Sequence, residues 1–145
     1  MQPVTPFWRE TGSEAVPPVG LGAIMRFVRA LLAAAWRYRR SSLAQLIAAA
    51  GRPLTRRAPS NLAVATAQFD RLCLWLPLRD RCLFKSFFQL EFYRAYGVSA
   101  DWVFGVSLFP FHAHCWIADG DLLLGERLGK VEGFSVILRV EGGPP

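Results

Sequence analysis

The sequence predicts an α+β fold, with helices first and a small antiparallel sheet after them. Two patterns carry that prediction. Up to Gly97 the apolar residues recur every three or four positions, and beyond it they alternate. Composition sets the scale: 145 residues, 52% hydrophobic and 19% charged, supply a core for one ordinary domain. The same figures exclude a disordered chain, a collagen-like repeat and a disulfide-stapled miniprotein.

Taken in order, residues 1–19 carry Pro3, Pro6, Pro17, Pro18 and Gly12 and read as an extended or disordered arm. A helix is expected from about Leu21 to Arg39, with Ile24, Phe27, Val28, Leu31, Leu32 and Ala35 on one buried face. Arg26 and Arg29 interrupt this stretch, and it falls short of the roughly 20 apolar residues of a bilayer span. Mixed, proline-bearing sequence precedes it, so it does not read as a signal peptide. The expectation is a cytoplasmic chain with no transmembrane span. Ser41 or Ser42 would cap a short helix through Ala50, closed by Gly51 and Pro53. Thr55 to Ser60 reads as a loop, and Ser60 or Asn61 caps a helix that ends near Trp75, before Pro77.

The next helix is the most informative. Asp80 is a good N-cap, and Gly97 falls just past the C-terminus. Leu83, Phe84, Phe87, Phe88, Leu90 and Phe92 give it a wide apolar face, so it belongs at the centre of the core. Cys82, Ser86, Gln89 and Tyr93 form a separate, more polar stripe, away from the most apolar packing. Strands follow at Trp102 to Val106, Phe111 to Ala118, Leu122 to Leu124 and Phe134 to Val140, with a turn at Leu108 to Pro110 and a hairpin signal at Asp119-Gly120. This organisation gives an arm, 1–19, and a single domain, 20–145, divided into a basic helical lead-in, 20–60, and a core, 61–141.

Charge is unevenly placed. Residues 1–60 hold nine arginines and two glutamates, a net +7, whereas residues 61–145 are close to neutral. Such a patch suits an acidic peptide, a nucleic acid or a membrane surface. No RNA- or DNA-binding motif accompanies it, so nucleic acid is not an expected partner. Three cysteines, an odd number, fit a reducing compartment in which thiols pack or react rather than cross-link.

Cys82 lies in the first turn of its helix, where free backbone N–H groups favour thiolate over thiol, and Arg79, Arg81 and Lys85 lie within one turn. The plainer alternative is a small hydrophobe filling the core. In Phe111–Ile117, alternation sets Phe111, Ala113, Cys115 and Ile117 on a core face and His112, His114 and Trp116 on the other. The only two histidines of the chain therefore share one surface, where an imidazole could serve as base for a thiol. A third group to orient it would be Asp119, Asp121 or Glu126. A hairpin loop of Asp119 to Asp121 sets Glu126 opposite His114; a loop of Asp119-Gly120 alone sets it opposite Ala113, facing away.

The run Arg81-Cys82-Leu83, then Gly105-Val106, then Pro110-Phe111-His112-Ala113-His114-Cys115-Trp116 resembles the lasso-peptide B proteins, transglutaminase-like cysteine peptidases that remove the leader from a lasso precursor. A looser likeness extends from Leu21 to Val140. The resemblance implies a transglutaminase/papain-like core with the nucleophile at a helix N-terminus. It assigns the nucleophile to Cys82, the catalytic histidine to His114, which immediately precedes the x-Trp pair, and the acid to Glu126, where many relatives carry Asp. It implies no cofactor and no metal. Trp102, Phe104, Phe109, Phe111 and Trp116 are expected to line core and groove together, with Trp102, Phe109, His112 and Trp116 against the substrate. The first 60 residues are too short and too helical for the winged-helix recognition domain that some relatives carry. The expected partners are therefore the precursor peptide, a separate precursor-recognition protein and the lasso cyclase.

Three other readings compete. His112, His114, Cys115 and a helix cysteine could hold a metal, although Cys115 points away from both histidines and no CxxC pair exists. The basic patch, with Arg26, Arg29, Arg37, Arg39, Arg40, Arg52, Arg56 and Arg57, could make the chain a non-enzymatic binding module. The same Cys-His-acid set could also pass a thioester to an amine, as transglutaminases do.

Overall fold

A computed structural model describes residues 8–10, 18–51, 62–78 and 81–142. The architecture is α+β, with helices packed on one face of a five-stranded mixed sheet. Helix α1 spans Leu21–Arg40, α2 Leu43–Ala50, α3 Leu62–Cys73 and α4 Cys82–Ala95. Strand β1 is Arg9–Glu10, β2 Asp101–Ser107, β3 His112–Asp119, β4 Leu122–Leu123 and β5 Ser135–Val140, with the one-turn helix α5, Leu128–Val131, ahead of β5. The strand order is β1-β4-β3-β2-β5. All neighbours are antiparallel except β1, which runs parallel to β4. The expected antiparallel sheet is thus extended by a short parallel strand from the segment read as an arm. Glu10 accepts a hydrogen bond from the Leu128 amide at 2.6 Å, and Arg9 pairs with Asp121 at 2.8 Å. The rest of that arm, 1–7 and 11–17, lies outside the described residues, as do the expected loop and caps of 52–61.

Helix α4 occupies the centre, packed between α1 and the sheet. Phe87, Phe88, Leu90 and Phe92 are buried as the apolar pattern predicts. Its C-terminus closes on Gly97 at φ +71°, where Gly97 N–H bonds the Arg94 carbonyl and Val98 N–H bonds that of Tyr93. Only a residue at ease in the left-handed region completes that pair of bonds cheaply. At the N-terminus Arg81 takes the capping position without a side-chain bond; Arg79 and Asp80, the expected cap, lie outside the described residues. Helix α2 is capped by Ser42, whose Oγ accepts from the Gln45 amide while Gln45 Oε1 accepts from Ser42 N–H.

Two expectations are corrected by what packs where. Helix α1 buries Ala23, Phe27, Ala30 and Ala34, whereas Ile24, Val28 and Leu32 are exposed. Small side chains let α1 lie close to α4, and Phe27 fills the one wide gap among Phe69, Phe88 and Phe92. The polar stripe of α4 is not turned away from the core: Ser86, Gln89 and Tyr93 are buried, and each side chain is hydrogen-bonded. Gln89 Nε2 donates to Tyr93 Oη and the Leu124 carbonyl, each at 2.8 Å, and Tyr93 Oη pairs with Thr66 Oγ1 at 2.6 Å. Burial of these side chains is tolerated because each has a hydrogen-bond partner.

The sheet has two cores. Trp102, Cys115 and Ile117 face α4, while Val103, Trp116 and Ala118 face the opposite side with Leu123, Val131, Trp8 and Phe134. Alternation along β3 is therefore as read, but only its second half is buried. Phe111 and Ala113 are exposed, because β3 outruns α4 towards the turn at 108–111.

Candidate active site

Cys82 begins α4, so the amides of its first turn have no acceptor within the helix, and the Arg81 side chain does not cap them. The end of the helix therefore presents a positive partial charge at the thiol. Opposite lies β3, whose residues His114 and Cys115 line one cavity together with Cys82, Lys85, Ser86, Gln89, Glu126 and Lys130.

Glu126 arrives by a route that sequence register does not describe. The hairpin pairs Asp119 with Leu122 and Ala118 with Leu123, so its turn is Gly120-Asp121, neither of the two loops considered. Continued as a strand, that register would set Glu126 opposite Cys115. Strand β4 instead stops after two residues. Leu124 N–H still bonds the Ile117 carbonyl at 3.0 Å, and Gly125 then turns the chain at φ +74°. A side chain at Gly125 would also strike Asp70, whose Oδ1 lies 2.8 Å from where its Cβ would stand. The turn delivers Glu126 Oε2 to His114 Nε2 at 3.0 Å.

With Nε2 engaged by Glu126, Nδ1 is the ring nitrogen left for the thiol. Hydrogen bonds with Cys115 and with His114 bring the Cys82 thiol down to about 4, against the opposing effect of burial. His114 is correspondingly raised to about 9 by its hydrogen bonds with Cys82 and Glu126. Burial is the largest single effect on Glu126 and would raise it, but the hydrogen bond to His114, the charges of His114 and Lys130 and the Arg127 amide together hold it below the ordinary carboxylate value. Near neutral pH the three groups thus form a thiolate, an imidazolium and a carboxylate. Cys115, by contrast, is pushed far up by its bond to Cys82 and by burial, so it remains a thiol. Its sulfur lies 3.3 Å from Ser86 Oγ, which in turn accepts from Trp102 Nε1 at 2.8 Å. Cys115 is more than packing: it is a proton-bearing neighbour of the thiolate.

The other expected site residues separate. Trp102 is fully buried with its indole N–H on Ser86, so it supports the site from within the core and offers no surface to a substrate. Phe109 and His112 are exposed near the β2–β3 turn and do not line the cavity. Trp116 lines it but is almost wholly buried beneath His114. Asp121 is occupied by Arg9, and Asp119 lies exposed at the hairpin. Among the described residues, no cluster of three His, Cys, Asp or Glu side chains is arranged to hold a metal ion, and no helix is long and apolar enough to cross a membrane. Sequence reasoning passed over Asp70, Lys85 as a cavity residue, and Lys130. Only Lys85, one turn from Cys82, carried a spacing signal.

No curated protein and no solved structure matches the chain. The family model that does match, described as the transglutaminase-like superfamily, covers residues 25–139, from the first helix to the last strand. That superfamily typically comprises cysteine peptidases and transglutaminases, the chemistry for which an activated thiol beside an imidazole is suited. On this match the chain belongs to the transglutaminase-like superfamily.

Proposed function

We propose that this protein is a cysteine peptidase that cleaves the leader from a ribosomally made lasso-peptide precursor, with Cys82 as nucleophile, His114 as proton carrier and Glu126 as the group that orients it. The observation that carries the reading is the convergence of Cys82, His114 and Glu126 on one cavity, with the thiol in the first turn of α4. The resemblance from Arg81 to Trp116 supports the substrate class.

The chemistry follows from the proton positions. The Cys82 thiolate adds to the carbonyl at the leader–core junction, and first-turn amides of α4 stabilise the oxyanion. As the C–N bond breaks, His114 gives its proton to the departing amine, leaving an acyl thioester on Cys82 and a core peptide with a free N-terminus. Neutral His114 then takes a proton from water, the hydroxide displaces sulfur, and the leader leaves as a carboxylic acid. The imidazolium and thiolate are thereby restored.

In this reading residues 20–145 act as one cytoplasmic domain. A separate recognition protein presents the leader, a cyclase consumes the freed core, and the arginine-rich lead-in, 20–60, offers a basic surface to one of these partners. The test is to incubate the protein with its precursor and recognition protein and resolve products by mass spectrometry. A hydrolysed leader and free core are expected, and Cys82→Ala should yield neither. Cleavage by Cys82→Ala at the unaltered rate would overturn the proposal, and an amine joined to the leader carboxyl would redirect it to acyl transfer.

A further inference from the structure

The sheet face opposite α4 carries an aromatic stack that the chemistry above leaves unused. The rings of His114 and Trp116 lie 5.7 Å apart, centroid to centroid, with 29° between their planes. Phe134 flanks the imidazole at 5.8 Å, and Trp8 closes over the indole edge-on at 5.6 Å. Trp116 is 2% exposed, yet among the described residues its Nε1 has no hydrogen-bond partner. A buried indole normally finds an acceptor for that proton. Among the described residues it is ring packing that locates the indole.

One wall of that packing is bare backbone. Gly105 pairs directly with His114 across the β2–β3 ladder. A Cβ there would stand 2.7 Å from Trp116 Cη2, 3.0 Å from Cζ3 and 3.2 Å from Phe134 Cβ. Its φ is not in the left-handed region, so the chain path does not demand glycine at this position. Space does. An indole displaced from Gly105 would press on the rings that flank it, His114 and Trp8 among them.

We propose that Gly105 and Trp116 are a positioning pair for His114: the absent side chain at Gly105 lets the indole lie beneath the imidazole, and the indole holds that ring in its reactive plane. The bond to Glu126 fixes one ring nitrogen but leaves the imidazole free to pivot about it. The stacked indole removes that freedom, so Nδ1 stays turned towards Cys82. The inference rests on the cysteine–histidine reading and specifies what maintains it.

The test needs no precursor. Cys82 is alkylated with iodoacetamide at pH 6 and at pH 9.5, and peptide mapping assigns the label. An ordinary thiol of pKa about 8.5 is ionised to well under ~1% at pH 6, so fast labelling there reports the thiolate held by Cys115 and His114. Gly105→Ala and Trp116→Leu are each expected to slow labelling at pH 6 by about 10- to 100-fold, which corresponds to a midpoint raised from about 4 to roughly 7 to 8. Labelling at pH 9.5 should be preserved, which a general loss of structure would not give. Gly105→Ala combined with Trp116→Phe, which removes the atoms that clash, should recover the pH 6 rate to within about threefold, on the logic of coupled neighbours. Should Gly105→Ala loosen the core, seen as labelling of Cys73 and Cys115, Trp116→Leu decides alone. Unchanged pH 6 labelling in folded Trp116→Leu overturns the positioning role. His114→Ala separates the two layers: if it too labels at the unaltered rate, the cysteine–histidine pairing itself fails; if it is slow while Trp116→Leu is not, only the positioning pair fails.

Discussion

Two helix ends, nine residues apart in sequence, hold the same kind of side chain and treat its proton in opposite ways. Cys73 is the last residue of α3 and Cys82 the first of α4, and both are partly buried. Burial pushes Cys73 up to about 12, and likewise pushes Asp70, one turn earlier, up to about 6. At Cys82 burial acts in the same direction and loses to the hydrogen bonds with Cys115 and His114. The helix ends themselves differ in sign, negative at Cys73 and positive at Cys82. Exposure is therefore a poor guide to which cysteine reacts; what decides is whether a donor meets the sulfur.

The largest expected effect breaks the comparison outright. Cys82→Ala should lower kcat/KM for precursor cleavage by about 10³-fold or more, as loss of a nucleophile does, whereas Cys73→Ala should leave it within a few-fold. Equal losses in the two variants would mean that the ends of α3 and α4 are not chemically distinct. The pH profile of the unaltered protein sharpens the same contrast. Activity should rise through about 4 as Cys82 ionises and fall through about 9 as His114 loses the proton it must give to the amine. An acid limb near 8 would place Cys82 alongside an ordinary thiol.

A smaller effect comes from the carboxylate. Glu126 raises His114 through a hydrogen bond and its charge. Glu126→Gln keeps a polar partner on Nε2 but removes the charge, so the imidazolium should be lost at lower pH. We expect the alkaline limb to move down by about one unit and kcat/KM near pH 7 to fall about 10- to 100-fold, the usual cost of losing such a supporting partner. A profile whose alkaline limb stays near 9 would remove Glu126 from its orienting role.

What the sequence made legible was whatever periodicity and end signals control. Helix α4 is an example: Phe87, Phe88 and Phe92 fix its buried face and Gly97 its end. Strand β3 is another, since alternation separates Cys115 from His114 before any coordinates. Illegible were features set by tertiary contact. Helix α1 offers two apolar faces, and the one chosen, Ala23, Phe27, Ala30 and Ala34, is the less hydrophobic; α4 selects it because small side chains permit a close approach. The meeting of Glu126 with His114 was undetermined because it depends on Gly125 leaving the strand, not on register. Strand β1 is two residues long, too short for alternation to register at all. Asp70 gave no signal because its position is defined by a turn 55 residues further on.

Asp70 provides the smallest and most discriminating prediction, since it tests whether burial only partly offset by the charge of Lys85 carries a cost in stability. Its carboxyl lies against Gly125, with Lys85 drawing its pKa down and Glu126 adding to the upward effect of burial. A carboxyl with a higher pKa folded than unfolded favours the folded state in acid, below about 4, and loses that contribution as pH rises through about 6. Asp70→Asn removes the ionisation while keeping the shape. It should therefore be more stable than the unaltered protein at pH 8, by on the order of 1–2 kcal/mol once partial exposure and Lys85 are allowed for, and indistinguishable from it at pH 4. Thermal unfolding at the two pH values reads the difference directly. A variant equally shifted at both would show that Asp70 acts through shape or hydrogen bonding. The contrast between the two helix ends would then rest on the cysteines alone.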